Sequence, residues 1–260
     1  MEDSSIMFTG RLRKKRKMKV AYFSKVYNEE RLIPYVFRYY DNIVDDYYIW
    51  DHASTDRTKE LLLKNPKVTV FDLPSGSFDE EENRINKNTG WVPYAKEYDW
   101  VIIVDFDEFM YHPDLLKLLE KYKNEGITIA KTDGHQMYAE SFPIDDGKSQ
   151  IYELVKQGRY AFNYSKFTII NPSAVVPNYS YGSHQMTPTG NVKFSETAEV
   201  KLLHYKIFGE EFINQMMERN KRLSPRNMPE KLGWYSLDPK APHNPRLEYE
   251  AVRDQATEVI

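Results

Sequence analysis

The sequence predicts an α/β fold with a central, mostly parallel sheet that is flanked by helices. Short apolar segments alternate with helical patterns, each apolar segment is about one strand long, and polar loops follow the strands. Continuous apolar strands are typical of parallel sheets because helices cover both faces of the sheet. Ligands bind at the carboxyl ends of such strands, so the polar loops there are the first candidates for a functional site.

The first half of the chain supplies four predicted strands and two predicted helices. The strands are predicted at residues 20–26, 47–50, 68–71 and 100–104. Apolar spacing predicts helices over residues 32–40 and 58–64. Thr55 or Asp56 would cap the second helix, because a short polar side chain accepts a hydrogen bond from a free backbone amide.

The pattern changes beyond Pro113. A helix is predicted at residues 115–122, strands at 127–131, 167–170 and 200–203, and another helix at 210–223. Prolines after residue 224 interrupt regular structure and predict an arm with a short helix from Leu247. We therefore expect these parts: a flexible basic segment (1–18), one domain (19–223) with halves 19–112 and 113–223, and a C-terminal arm (224–260).

Composition excludes several classes of protein. The 260 residues include 36 Lys and Arg against 39 Asp and Glu, so the chain is not a polycation of the kind that coats nucleic acid. The chain has no cysteine, which excludes a disulfide framework, a thiolate metal site and a cysteine nucleophile. Its apolar content of 41% is typical of a folded globule rather than a disordered chain.

The basic residues between positions 11 and 19 form the densest charge cluster near the N-terminus. No apolar h-region of a secretory signal follows them. The longest apolar run covers residues 100–104, whereas a membrane-spanning helix needs about 20 apolar residues. We therefore expect a cytoplasmic protein. The basic cluster predicts either a solvated tail or peripheral contact with an anionic membrane, and gives no strong indication of nucleic-acid binding.

The clearest chemical signal follows the fourth predicted strand. Apolar residues lead directly to Asp105 and Asp107, and residues i and i+2 of an extended chain point the same way. Two converging carboxylates suit Mg²⁺ or Mn²⁺ that bridges a diphosphate. The alternative is a strand end whose acids cap the next helix. A bare D-x-D often arises by chance, but an apolar strand that ends in D-x-D-E is much rarer.

Three motifs, in order, resemble those of family 2-like glycosyltransferases with the GT-A fold. They are V-Y-N-E-E at 26–30, D-H-A-S-T-D at 51–56 and V-D-F-D-E-F at 104–109. A later H-Y-K at 204–206 matches the branch with a D-x-D-E-F signature. The resemblance implies a GT-A-like domain with a nucleotide-sugar half and an acceptor half. It also implies sugar transfer, with inversion, from a nucleoside-diphosphate sugar (UDP by default) to a hydroxyl acceptor such as a glycan.

The resemblance further implies a metal site. Asp105 would contact the ribose or the metal, Asp107 would bind the metal, and His204 would complete the metal shell. A neutral imidazole suits Mn²⁺ better than Mg²⁺, so Mn²⁺ is the preferred ion. The metal and a nearby lysine would stabilise the charge that develops on the departing diphosphate.

The same resemblance implies a set of donor-binding residues. Asn28 and Asp51 would lie near the base and the ribose, and Lys206 would hold the diphosphate as a point charge. Arg84 and Lys166 are further candidates for the phosphates. The residues expected to bind the donor are Asn28, Asp51, Arg84, Asp105, Phe106 and Lys206.

The catalytic base is predicted to be Asp133, which follows the strand at 127–131. Inverting relatives carry acceptor-side groups in this part of the chain, and a carboxylate base contributes about 10²–10⁴-fold to a rate. Glu140, Asp145 and Asp146 are competing candidates. An E-D pair common in the family is replaced here by T-D-G-H, which leaves the base and the stereochemical outcome open. An Asp before Gly is also typical of a turn.

Two other functions fit parts of the pattern. A non-catalytic protein could keep the fold and bind a nucleotide sugar or a carbohydrate, because fold alone does not determine activity. A phosphatase could use the D-x-D as nucleophile and acid, but such enzymes carry the motif near the N-terminus with a Thr just after it. Metal-dependent turnover of a labelled sugar nucleotide would separate these alternatives.

Overall fold

The computed structural model describes residues 18–73, 77–227 and 244–260. The strands are β1 (Val20–Val26), β2 (Asp46–Asp51), β3 (Val68–Asp72), β4 (Trp100–Ile103), β5 (Glu108–Tyr111), β6 (Ile129–Ala130), β7 (Thr132–Ala139), β8 (Gln157–Tyr160), β9 (Ile169–Ile170), β10 (Val175–Val176), β11 (Thr189–Gly190), β12 (Val200–Phe208) and β13 (Thr257–Glu258). The helices are α1 (Ile33–Tyr40), α2 (Thr58–Leu62), α3 (Glu80–Thr89), α4 (Leu115–Glu125), α5 (Ile151–Leu154), α6 (Glu211–Asn220) and α7 (Pro245–Gln255).

The first sheet has the strand order β3-β2-β1-β4-β9-β6. Strands β1 to β4 pair in parallel, whereas β9 is antiparallel to both β4 and β6. All four strands predicted in the first half of the chain form. The predicted α/β class, with a central and mostly parallel sheet flanked by helices, is confirmed.

Successive side chains of β1 enter different cores, which shows that both faces of the first sheet are buried. Tyr22 packs in the core that holds Trp100 and Ile102. Phe23 packs in the other core, where its ring stacks on Tyr48 at a centroid distance of 4.8 Å. Burial on both faces explains why β1 is apolar along nearly its whole length.

The second sheet is mixed and has the order β13-β8-β7-β12-β5. Its longest strand, β12, pairs in parallel with β7 and antiparallel with β5. In this register His204 lies beside Glu108 on one side and Gln136 on the other. The second sheet therefore brings three distant segments of the chain to one line of side chains.

The structure corrects the prediction of a single strand at residues 127–131. The structure divides this region into β6, which joins the first sheet, and β7, which joins the second. Strand β7 contains Asp133 and Gly134, residue types that disfavour strands, so only tertiary pairing stabilises it. Gly134 is required there because a Cβ would lie 2.2 Å from the backbone of Tyr164.

The helices that border the site come from both ends of the chain. Asp79 caps α3 by accepting hydrogen bonds from the backbone amides of Glu81 and Glu82. Helix α7 packs through Tyr249 and Val252 in a small core that includes Phe212 of α6. Strand β13 then pairs with β8. The described end of the predicted arm, residues 244–260, thus packs on the second sheet, and its predicted helix begins at Pro245.

Several predictions fall on residues outside the described ranges. These include the basic segment up to residue 17 and residues 228–243 of the predicted arm. The predicted domain boundaries stay predictions, although β6 and β9 of the second half extend the first sheet. In the described ranges no helix has the length and apolar character needed to cross a membrane.

Candidate active site

A cavity of about 1300 Å³ opens at the carboxyl ends of β1 and β4. Its walls come from both sheets, from α6 and α7, and from the irregular segment at residues 161–166. The carboxyl ends of parallel strands are where the sequence predicted a ligand site, and the cavity lies there.

The acidic motif after β4 is not extended, which changes the predicted geometry. The backbone amide of Glu108 donates to the carbonyl of Asp105 at 3.0 Å, which closes a turn, and β5 begins at Glu108. The alternation of side chains that holds for an extended chain therefore fails here. Asp105 and Asp107 are held by different partners.

Asp105 lies between two lysines. One carboxylate oxygen is 2.7 Å from Nζ of Lys87 and the other is 3.2 Å from Nζ of Lys166. Lys166 also lies 2.5 Å from Glu108, and their side chains are only 3% and 0% exposed. Partial burial raises the pKa of Asp105, but Lys87 and Lys166 outweigh it and hold the pKa well below its ordinary value. Asp105 is thus an ionised carboxylate with both oxygens engaged.

Asp107 is paired with His204 instead. Nε2 of His204 lies 3.3 Å from the carboxylate of Asp107, and both side chains line the cavity. The amide of Tyr205 donates to the carbonyl of Asp107 at 2.7 Å, so β12 fixes the turn, and the ring of Tyr164 stacks on His204. Burial raises the pKa of Asp107, but His204 and Lys206 outweigh it and lower the pKa.

The predicted metal site of Asp105, Asp107 and His204 forms only in part, as the Asp107–His204 pair. In the described ranges no three His, Asp or Glu side chains converge closely enough to hold a metal ion, so Asp105 is not brought into a ligand set with Asp107 and His204. The pair nevertheless supplies one carboxylate oxygen and one imidazole nitrogen at a cavity wall, a donor set suited to Mn²⁺. These two residues fit a divalent ion whose other ligands are a diphosphate and water.

Basic side chains form one side of the cavity, which we call the cationic wall: Lys25, Lys206, Arg219 and Arg222. Nζ of Lys25 lies 4.2 Å from the ring centroid of Phe78, and Cζ of Arg219 lies 4.6 Å from the same centroid. Burial, and then Arg219 and Lys87, lower the pKa of Lys25 to about 7. Clustered cations on a cavity wall favour a phosphate-bearing ligand.

A second set of lining residues, which we call the aromatic wall, combines aromatic and apolar side chains with one carboxylate: Tyr160, Phe162, Leu247 and Glu248. Tyr160 is 56% exposed, Phe162 is 77% exposed and Leu247 is 43% exposed. Glu248 is half-buried and accepts a hydrogen bond from Nε2 of Gln136 at 2.5 Å. Exposed rings at a cavity mouth can stack on the face of a sugar.

The predicted donor-binding residues divide into two groups. Asn28, Phe106 and Lys206 line the cavity with Asp105, whereas Asp51 and Arg84 do not. The amide side chain of Asn28 is bonded to Thr55, which fixes the loop after β1 against the loop after β2.

Asp51 and Arg84 have structural contacts instead. Asp51 is buried and accepts a hydrogen bond from the amide of Ser54 at 3.2 Å. Arg84 forms an ion pair with Glu81 one turn earlier on α3 and lies over the ring of Tyr181. Local partners therefore hold both side chains away from the cavity.

Asp133 is exposed on β7 and does not line the cavity. It lies three residues from Gln136, which does line the cavity, so the two side chains emerge on opposite faces of the strand. The competing carboxylates are also engaged elsewhere: Glu140 accepts from Tyr138, Asp145 pairs with Arg38, and Asp146 accepts from Ser149. The structure thus brings none of the predicted bases to the cavity.

Several cavity residues had no assigned role in the sequence analysis. Lys25 carried one available signal, because a half-buried lysine near the end of an apolar strand is unusual. Gln136 and Glu248 carried none: they are 112 residues apart in sequence and meet only in the fold.

Comparisons with known proteins give only distant structural likenesses. No protein-family profile matches the sequence, and no curated protein matches it. S. aureus TarS, residues 1–349, aligns with a TM-score of 0.45 and 14% identity over 79% of this chain and 65% of that one. Glucosyl-3-phosphoglycerate synthase from Mycobacterium tuberculosis, in complex with Mn²⁺, UDP-glucose and phosphoglyceric acid, aligns with a TM-score of 0.33 and 21% identity. That alignment covers 45% of this chain and 44% of the synthase.

Proposed function

We propose that this protein is a metal-dependent glycosyltransferase, which moves a sugar from a nucleoside-diphosphate sugar to a hydroxyl acceptor. One observation carries the proposal: the Asp107–His204 pair lies in a cavity that also presents the cationic wall. A divalent ion and several basic side chains are what a diphosphate leaving group needs. The motif resemblance to family 2-like glycosyltransferases of the GT-A fold supports the same activity.

The donor would bind with its diphosphate towards the cationic wall. Asp107 and His204 would hold Mn²⁺ or Mg²⁺, which when bound neutralises charge on the diphosphate. Lys206, two residues beyond His204 on β12, would add a positive charge beside it. Asp105, kept ionised by its lysines, would accept hydrogen bonds from ribose hydroxyls, and Phe106 would pack beside it. Asn28 would lie near the base.

The finer parts of the proposal concern stereochemistry and the acceptor. We propose a single displacement with inversion, uridine as the default base and a glycan as the acceptor. A cytoplasmic location, and contact of residues 11–19 with an anionic membrane, stay predictions. A phosphatase that used Asp105 as its nucleophile is disfavoured, because lysines engage both carboxylate oxygens of that residue.

The first test is donor binding. Purified protein is heated with UDP, GDP, dTDP or CMP, each with and without Mn²⁺, because a ligand that binds only the native state raises the apparent unfolding temperature. We expect a shift for one nucleotide that requires Mn²⁺. A well-folded sample that shows no shift with any combination would overturn the proposed function.

The second test separates an enzyme from a binding protein. Protein with Mn²⁺ is incubated with the corresponding sugar nucleotides, UDP-glucose first, and released nucleotide is measured with water as the acceptor. Slow Mn²⁺-dependent release supports transfer chemistry. Binding without any release would favour the non-catalytic alternative.

A further inference from the structure

The aromatic wall contains a carboxylate that the sequence analysis did not consider. Glu248 lies in the first turn of α7, and its Oε1 accepts a hydrogen bond from Nε2 of Gln136. Gln136 is buried on β7, so it provides a fixed support for the carboxylate. The C-terminal helix thus places an acid at the cavity and the second sheet orients it.

Glu248 lines the same cavity as the Asp107–His204 pair. Gln136 is aligned with His204 across the β7–β12 ladder, and aligned residues of neighbouring strands present their side chains on the same face. Tyr164, whose ring stacks on His204 at a centroid distance of 4.5 Å, lines the same cavity as Gln136 and Glu248. Glu248 therefore belongs to the same site but lies on its aromatic wall.

Most other acids that line the cavity are held in ion pairs. Asp105 lies between two lysines, Asp107 is beside His204, Glu211 pairs with Arg31, and Glu218 pairs with Lys221. A carboxylate that must accept a proton works poorly when a cation stabilises its charge.

Two further acids that line the cavity lie near residues of the cationic wall. Glu29 follows β1, and burial and Asp107 raise its pKa while Lys206 and Arg219 act against that rise. Glu80 lies near Lys25, whose charge it favours. Both belong to the side where we place the diphosphate. Glu248 instead has Phe162 and Leu247 as lining neighbours. The cation on its side is Arg159, which is aligned with Gln136 across the β7–β8 ladder but bonds through its Nη1 to Gln255 rather than to Glu248.

We propose that Glu248 is the catalytic base, an assignment that rests on the proposed function. The acceptor ring lies against Phe162, and its O–H bond breaks as the proton moves to the carboxylate oxygen that Gln136 does not occupy. The acceptor oxygen forms a bond to the anomeric carbon. The bond from that carbon to the diphosphate breaks, and its electron pair leaves with the diphosphate.

The test compares Glu248→Gln with Glu250→Gln, which changes an acid on the same helix that does not line the cavity. Nucleotide release from UDP-glucose and the other sugar nucleotides is measured with Mn²⁺ and water as the acceptor. We expect Glu248→Gln to lower the rate about 10²–10⁴-fold and Glu250→Gln to leave it unchanged. The Mn²⁺-dependent nucleotide thermal shift should stay intact in both variants.

A chemical rescue distinguishes a base from a structural residue. Azide attacks carbon without losing a proton, so sodium azide should restore nucleotide release in Glu248→Ala and yield a glycosyl azide. It should not raise release in Asp107→Ala. A variant that is merely misfolded or misaligned would not regain activity with azide.

The outcomes are distinct. Full release by Glu248→Gln, or loss of release in Asp133→Asn or Glu29→Gln together with azide rescue there, would overturn the assignment while the proposed function stands. Failure of azide to rescue Glu248→Ala would also overturn it. No release by the wild type from any of the sugar nucleotides would overturn the proposed function itself, and the assignment with it.

Discussion

The cationic wall and the aromatic wall face the same cavity but differ in charge and in what supports them. On the cationic wall, the charged groups of Lys25 and Arg219 lie over the ring of Phe78, and that of Arg222 lies over the ring of Tyr27. These cation–π contacts support the three basic side chains. On the aromatic wall the rings are exposed, and the single acid Glu248 is held by a neutral amide.

This difference separates two tasks that one surface could not perform well. Cations stabilise a departing diphosphate, but the same cations beside a base would weaken its ability to accept a proton. A neutral amide orients a carboxylate without that cost. Changes in the cationic wall should therefore alter donor binding, and changes in the aromatic wall should alter proton transfer.

The largest expected effect comes from Asp107, which lines the cavity beside His204. Asp107→Ala removes one of the two metal ligands, so nucleotide release should fall about 10³-fold and the Mn²⁺-dependent thermal shift should disappear. Asp254→Ala, a surface change on α7, is the control and should keep both. Full release in Asp107→Ala, with a normal unfolding midpoint, would refute the metal assignment.

The next effect concerns the buried ion pair between Lys166 and Glu108, at the turn after β4. Lys166→Met leaves Glu108 buried without its cation, so the free energy of unfolding should fall by about 3–5 kcal/mol, as measured with urea. Adding Glu108→Gln should recover part of that loss, because it removes the unpaired charge. A loss below about 1 kcal/mol in the single variant would show that this ion pair does not fasten the turn after β4.

A moderate effect is expected within the cationic wall. Arg219→Ala should weaken Mn²⁺-dependent binding of UDP about tenfold or more, because a charge-assisted contact to phosphate is lost. Lys221→Ala is the matched control, since that exposed lysine is paired with Glu218 outside the wall. Titration calorimetry measures both. Equal affinities in the two variants would mean that the two walls do not divide the substrates as proposed.

The last prediction concerns pH dependence. The pKa of Lys25 is about 7 in the fold and near 10.5 when unfolded, so the unfolded chain binds more protons between these values. Stability should rise with pH across that window, by up to about 1.4 kcal/mol per pH unit. Urea unfolding at pH 7, 8 and 9 should give a flatter profile for Lys25→Met. Parallel profiles would show that Lys25 titrates normally.

Much of the first sheet was predictable because its signals are local. Strands β1, β2 and β4 are mostly apolar runs bounded by polar residues, and burial on both faces demands that pattern. The edge strand β3 is half-buried or exposed along its length but keeps enough apolar residues to be predicted. The same logic located Asp105 and Asp107 at a strand end. It failed on their orientation, because the turn closed by Glu108 breaks the extended alternation.

The second sheet shows the opposite behaviour. Strand β7 has a weak strand signal and exists because β12 and β8 pair with it on either side. Asp133 was a reasonable base by position in the chain, yet strand register turns it away from Gln136 and the cavity.

The sequence by itself determined the α/β class, the strands β1 to β4 and the position of the acidic motif at the end of β4; His204 entered only through the motif resemblance. Those features depend on runs of neighbouring residues, where apolar periodicity and motif spacing carry the information. Only the tertiary structure decided that lysines engage Asp105, that four cations share one wall, and that Glu248 meets Gln136. Most of these contacts join segments that are distant in the sequence, for example Lys166 with Glu108 at a separation of 58 and Glu248 with Gln136 at a separation of 112, and pairing across that distance leaves no local pattern.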